Sequence, residues 1–378
     1  MTRYLGAAVV IRAVNDGASV GLALLALTVR PGVAGALVAA LVAPHLLGPW
    51  LSRLLSLTDS RYVLAGSFVL YAGAVATAAT VMAEAPAVVA VVLVALAGCA
   101  GPMLAGGLTS RLPGGDTARS RAFDSATWGV ATAAGPGLAA VTNLVIGPVA
   151  AVLLMAAGAI VAAGLVLTLP PDPGRPEESP RIRDSALHAM QTRPLRYTLL
   201  AVGLTGLGLG ALPVATPLLG VELGQPAGSG GLLIATYGVA SLAGSLAGAA
   251  RLSDGLSSRL AAGSLAVMSL GVGVAATAPS FAVALAGFVV LGLANGAFLP
   301  TVLAVCREHA PANGYAQLLV LSSSIKISGA ALAGIWSGFA VPAGGRTVLA
   351  VVVAVLLAAA VTRARSGPFR RRRSPGRR

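Results

Sequence analysis

Three charged residues stand inside apolar runs. Arg12 and Asp16 lie four apart in the first run, with Asn15 and Gly17 extending a polar face. Residues at i and i+4 share one side of a helix and can pair. A charge near mid-bilayer costs about 2.5–3.5 kcal/mol on insertion scales, so it should face a cavity or a partner. The chemistry open to this pair is proton uptake and release at Asp16, with Arg12 tuning it or binding an anionic group. Arg12 can instead extend its stem to the nearby membrane surface. Lys326 sits in Ser322-Ser-Ser-Ile-Lys326-Ile-Ser328. It reads either as a cation lining a cavity, with Ser323 among the hydroxyls beside it, or as half of a buried pair with a carboxylate from the first half of the chain. His45, following Pro44, is either a group that titrates near neutral pH or a packed polar side chain.

The elements that must hold these residues are membrane helices. The chain has 378 residues, 56% hydrophobic and 10% charged, against about 25% charged in soluble domains. So much apolar surface cannot be buried in a water-soluble protein of this length. The 48 glycines fit closely packed membrane helices. Apolar runs of membrane length predict twelve helices, near 4–27, 33–54, 62–83, 86–108, 122–143, 146–169, 197–220, 228–250, 260–278, 281–304, 315–340 and 345–362. The N-terminus lacks the uninterrupted apolar core and cleavage site of a secretory signal, and is read as the first of them. With the N-terminus placed inside, 22 of the 26 Lys and Arg residues fall in inner segments, and only Arg30 and Arg346 in outer loops. This is a positive-inside pattern with both termini cytoplasmic.

The net charge of +14 sits in short loops and a tail, not on a folded basic face, so nucleic acid is not expected as a partner. One lysine against 25 arginines points to a GC-rich, bacterial genome. Cys99 and Cys306 are isolated within apolar runs, and no spacing supports a metal site or a disulfide framework. No cofactor is expected.

The polar stretch from Pro170 to Arg196 holds six of the 23 prolines. It reads as a cytoplasmic linker, 170–196, between a six-helix half at 1–169 and another at 197–362. A basic tail follows at 363–378. Within the linker, 184–192 carries Leu187 and Met190 at i, i+3 and reads as a short helix on the inner surface. The halves look like a parallel repeat: Asp59 and Arg61 lie between helices 2 and 3, Asp254 and Arg259 between helices 8 and 9. Glu84 and Glu222 fall at outer helix ends and read as solvated. The glycines around 203–210, followed by Pro213 and Pro217, predict a bendable outer half in helix 7.

Ser52-Arg-Leu-Leu-Ser56-Leu-Thr-Asp59-Ser-Arg61 and Ala250-Arg-Leu252-Ser-Asp254-Gly-Leu-Ser-Ser-Arg259 resemble the loop signature of the major facilitator superfamily. In the first copy Ser52 replaces the glycine and Ser56 the expected aspartate. The resemblance implies an inner gate at Arg53, Asp59, Arg61, Asp254 and Arg259, latching the halves in the outward-facing state. A solvated turn with capping charges is the plainer alternative. Gly135-Pro136-Gly137 in helix 5 resembles the kink motif of the superfamily's export branch, without its final glycine pair. A packing kink explains it equally well.

The expectation is an all-α protein of twelve transmembrane helices in two pseudo-symmetric halves, in the bacterial inner membrane. Its expected work is alternating-access, proton-coupled efflux of a small organic molecule by a monomer in contact with lipid and proton. A partner-driven membrane subunit is the alternative. An intramembrane enzyme is less favoured, because no cluster of acids, bases or metal ligands recurs within the helices. A reporter fused after Arg378 should read cytoplasmic; a periplasmic reading overturns this topology.

Overall fold

A computed structural model describes residues 1–47, 51, 59–112, 118–171, 182–226, 228–250, 257–311 and 315–365. Among them every regular element is helical. In the first half these are α1 (Thr2–Val29), α2 (Ala34–Val42), α3 (Ser60–Val81), α4 (Ala87–Cys99), α5 (Ala118–Val145) and α6 (Pro148–Leu167). After the linker come α7 (Ile182–Gln191), α8 (Arg193–Leu209), α9 (Leu212–Glu222), α10 (Ser229–Ala250), α11 (Ser257–Ala276), α12 (Phe281–His309), α13 (Tyr315–Phe339) and α14 (Gly345–Ala364). Eight described helical stretches are long and apolar enough to cross a membrane, and shorter apolar helices lie at 31–47, 87–99 and 260–276. With α8 and α9 forming one crossing, the helices make twelve crossings around the separate helix α7.

Three expected crossings are interrupted. α2 ends at Val42 and continues as a tighter 3-10 turn over Ala43–Leu47, which contains Pro44. α4 ends at Cys99 and gives way to a π-turn at Met103–Gly107. The seventh crossing breaks at Gly210 and Ala211, between α8 and α9. α7 covers the stretch where a short surface helix was expected. It packs on α8 and α13, and His188 bonds through Nε2 to the His309 carbonyl at the end of α12, 2.9 Å away.

The packing repeats across the halves. α1 lies against α5 and α6, as α8 lies against α13 and α14. α3 meets α4 and α6, as α11 meets α12 and α14. One apolar core draws on residues 4–169. A second draws on residues 189–360, with Val20 and Leu24 of α1 inserted into it. The capping contacts repeat as well. Arg3 donates to the Thr168 carbonyl beyond α6, and Arg193 donates to the Arg365 carbonyl beyond α14, each at 3.1 Å. These contacts place the N-terminus, the linker and the end of α14 at one end of the bundle, here called the linker end.

The halves meet where α5 packs on α10, α2 on α13, and α1 on α9. At the end opposite the linker the contact is tight. A Cβ added at Gly35 would lie 2.1 Å from the Gly334 carbonyl oxygen, and Ala23, Val38 and Val214 form a buried cluster joining α1, α2 and α9. Glu222 does not stand free in solvent there. It accepts from the backbone N–H of Arg346 at 3.2 Å and pairs with its guanidinium at 3.6 Å, capping α14.

Within the first half, the Gly-Pro motif seats α5 on α1. A Cβ at Gly135 would lie 2.1 Å from the Ala13 carbonyl oxygen, and one at Gly17 would lie 2.7 Å from the Gly135 oxygen. The two backbones touch, which only glycine permits. Gly135→Val should therefore force the helices apart and lower stability by about 1–3 kcal/mol or more. Gly66→Ala, where nothing lies within 4 Å, should be near neutral. Thermal melts of the purified variants in detergent check both.

Candidate functional site

A cavity of about 230 Å³ lies between the halves. The first half contributes Asp16, Ser19 and Val20 from α1, and Thr132 and Pro136 from α5. The second contributes Leu209, Leu212 and Pro213 around the break in the seventh crossing, Ile234 and Tyr237 from α10, and Lys326 and Ala330 from α13. Prolines shape two of its walls. Pro136 has no N–H to give the Thr132 carbonyl one turn back, and Pro213 stands in the first turn of α9, where none is needed.

Asp16 is partly buried, and its Oδ2 accepts a hydrogen bond from the Thr132 hydroxyl at 2.9 Å. The groups acting on it come from five helices: Arg12 and Asn15 on its own, Tyr71 on α3, Thr132 on α5, Tyr237 on α10 and Lys326 on α13. Asn15 Oδ1 and the Tyr71 hydroxyl are buried without a hydrogen-bond partner among the described residues. Lys326 lies halfway along α13, enclosed by helices, yet its side chain is exposed, as is that of Ser323 one turn nearer the linker end. Exposure at Lys326 and Ser323 marks open space on the linker side of the packed end.

Arg12 does not pair with Asp16. Its guanidinium is 1% exposed and forms an ion pair with Asp124 of α5 at 2.8 Å. It also donates to the Asp124 carbonyl at 3.0 Å, to the Thr109 hydroxyl at 2.8 Å and to the Thr127 hydroxyl. The Trp128 ring lies 4.3 Å from it, and the Tyr4 hydroxyl donates to the same carboxylate. Arg12 therefore points away from the cavity into a cross-link joining α1, α5 and the segment after α4, and it does not reach the membrane surface either. Sequence spacing paired Arg12 with its i+4 neighbour and overlooked Asp124, 112 positions away. The available signal was Asp124, Thr127 and Trp128 at i, i+3 and i+4, a polar stripe at the start of an otherwise apolar helix.

His45 is packed, not part of the cavity wall. Its ring lies over Gly101, where an added Cβ would come within 2.0 Å of it. Asp59 caps α3 by accepting from the Arg61 N–H at 3.0 Å, and it pairs with the Arg61 guanidinium at 2.8 Å. That hydrogen-bonded pairing holds the Asp59 carboxyl below its usual range. Arg61 also donates to the Leu169 carbonyl at 3.2 Å, and Arg111 to that of Pro170. Of the other expected gate residues, Arg53 and Asp254 lie outside the described residues. Arg259 falls in the first turn of α11, and its side chain is outside the described ones.

The same architecture is found in solved transporters. The chain superposes on the nucleoside transporter NupG, in a single-residue mutant form, with a TM-score of 0.80 at 14% identity, covering 96% of this chain and 98% of that one. A bacterial homologue of the iron transporter ferroportin, in its inward-facing state, gives 0.71 at 16% identity over 97% and 98%. A bacterial homologue of the human lysosomal transporter Spinster gives 0.72 at 14% identity over 96% of each chain. No protein-family model and no curated protein sequence matches the chain. The fold is that of the major facilitator transporters: twelve membrane helices in two pseudo-symmetric halves around a central cavity.

The Arg12 cross-link gives a test of its own. Removing one partner of a buried pair strands the other and costs about 3–5 kcal/mol. Arg12→Gln and Asp124→Asn should each lower the melting temperature sharply. The double variant should melt above either single one, because no stranded charge remains. Additive losses would show that the two side chains do not act as a pair.

Proposed function

We propose that the chain is a secondary transporter that carries a small organic molecule out of a bacterial cell in exchange for protons. The observation that carries this reading is the cavity itself. It lies between two similar halves, is closed at one end, and holds one carboxylate and one ammonium. Such a cavity serves alternating access when the halves rock about it. The positive-inside pattern puts the linker end in the cytoplasm, so the state described is open inward. Opening the other side requires the α1, α2 and α9 contacts to part and the linker end to close. The break at Gly210 and Ala211 is where the second half can bend, and in this scheme Asp59, Arg61, Arg53, Asp254 and Arg259 latch the inner side when it closes.

Asp16 is the proton site in this scheme. It faces the cavity, and the Thr132 hydroxyl serves either protonation state, donating to the carboxylate or accepting from the acid. A proton moving down the membrane potential supplies ~2.3 kcal/mol per 100 mV, and no nucleotide-binding motif is present to supply another source. The kink motif at Gly135-Pro136-Gly137 favours export. Both termini lie in the cytoplasm, and the monomer is the working unit.

Purified protein in liposomes with an imposed pH gradient should show gradient-dependent flux of a compound from a broad panel. Asp16→Asn should abolish the dependence on the gradient while leaving downhill exchange measurable. Unchanged coupling in that variant removes Asp16 from the proton path. Flux that never depends on a proton gradient, for any compound, removes the proton-exchange reading.

A further inference from the structure

The cavity presents two opposite charges and neutralises neither. Asp16 accepts one hydrogen bond from Thr132, and Lys326 makes no hydrogen bond or ion pair to any described residue. Each acts electrostatically on the other, yet they form no direct ion pair. Both backbones are pinned within their own halves. α1 is locked to α5 at Gly17 and Gly135. A Cβ at Gly206 would lie 2.1 Å from the Lys326 carbonyl oxygen, so α13 is pressed on α8 at the lysine itself. The two charges thus line one cavity from opposite halves.

We propose that the cavity takes a small zwitterion, whose cationic group meets Asp16 and whose anionic group meets Lys326. The inference rests on the transporter reading above and deepens it. With Asp16 ionised, a cation alone would leave Lys326 unneutralised when the cavity closes, an anion alone would strand Asp16, and a neutral molecule would strand both. A buried charge without a partner is strongly unfavourable. A zwitterion satisfies both charges and brings no net charge into the low-dielectric site. Most of the remaining lining, Val20, Leu212 and Ile234 among it, is apolar, which suits a hydrocarbon body. The volume of about 230 Å³, below the ~300–1,000 Å³ of drug-sized ligand sites, has room for a molecule of amino-acid size.

The arrangement also explains how cargo couples to motion. Asp16 belongs to one half and Lys326 to the other, so a bridging zwitterion draws the halves together across the cavity. A proton on Asp16 removes the anchor for the cationic group, so proton and cargo alternate at one carboxylate.

The test is binding to the purified full-length protein in detergent, using one molecular body in four charge forms. Leucine is the zwitterion, leucinamide the cation, N-acetyl-leucine the anion and N-acetyl-leucinamide the neutral form. The same four forms of alanine and phenylalanine vary the body. The expected result is millimolar or tighter binding of at least one zwitterion, about tenfold or more stronger than its three matched derivatives, because the derivatives leave a site charge unpaired. Lys326→Gln should reduce that zwitterion to the level of its amide, and Asp16→Asn to the level of its N-acetyl form. Thermal melts establish that both variants are folded, and the wild-type series decides the matter without them. No binding by any of the zwitterions, or equal binding by a singly charged or neutral form, overturns the proposal. Flux of a singly charged or neutral compound without zwitterion binding removes this inference and keeps the transporter reading. Zwitterion binding with no flux of any compound does the reverse.

Discussion

A charge enclosed in a bilayer protein must be neutralised, and that requirement organises this structure. Arg12 shows it most directly. Held among Asp124, Thr109, Thr127 and Trp128, it spends every strong interaction within the first half and stitches α1 to α5. The cost of burying the guanidinium is offset by several charge-assisted hydrogen bonds converging on it. Its presence near the middle of an apolar run is therefore structural. Asp16, one turn further along, points the other way, and with Lys326 it faces open space. An ion-paired charge and two charges without an ion pair thus stand on the two sides of α1.

Close backbone contact makes that distinction durable. Without a hydrophobic force to press helices together inside lipid, packing and small residues decide where they touch. Gly17 against Gly135 fixes the height of Asp16 relative to Thr132, and Gly206 against Lys326 fixes the cation. The same residue type at Gly35, beside Gly334 and Gly338, closes the end away from the linker. Contacts within a half hold Asp16 and Lys326 in place, while contacts between halves close the end away from the linker.

The arginines at the linker end serve two purposes. By number they orient the chain in the membrane. By geometry Arg3, Arg61 and Arg111 donate to the carbonyls of Thr168, Leu169 and Pro170, the unsatisfied acceptors at the negative end of α6. Arg193 does the same beyond α14. These arginines are thus helix caps, and so at the opposite end is Glu222, which the sequence reads as solvated.

Membrane residence, the number of crossings and the two-half plan were legible in the sequence, because each is written within about twenty consecutive residues or in the spacing of charges between them. Asp16, Lys326 and Gly135-Pro136-Gly137 also drew notice in the sequence, since a charge or a proline in an apolar run stands out locally. Only the tertiary structure decided partners. Arg12 and Asp124 are far apart in the chain, as are Asp16 and Thr132, and no local period links them; the i+4 rule drew Arg12 toward the wrong carboxylate. His45 lost its place in the pathway for the same reason, because the glycine it packs on belongs to another helix. Which charges are neutralised and which are left to face a cavity depends on how twelve helices rotate about their own axes. That rotation is set by contacts between segments the sequence keeps apart.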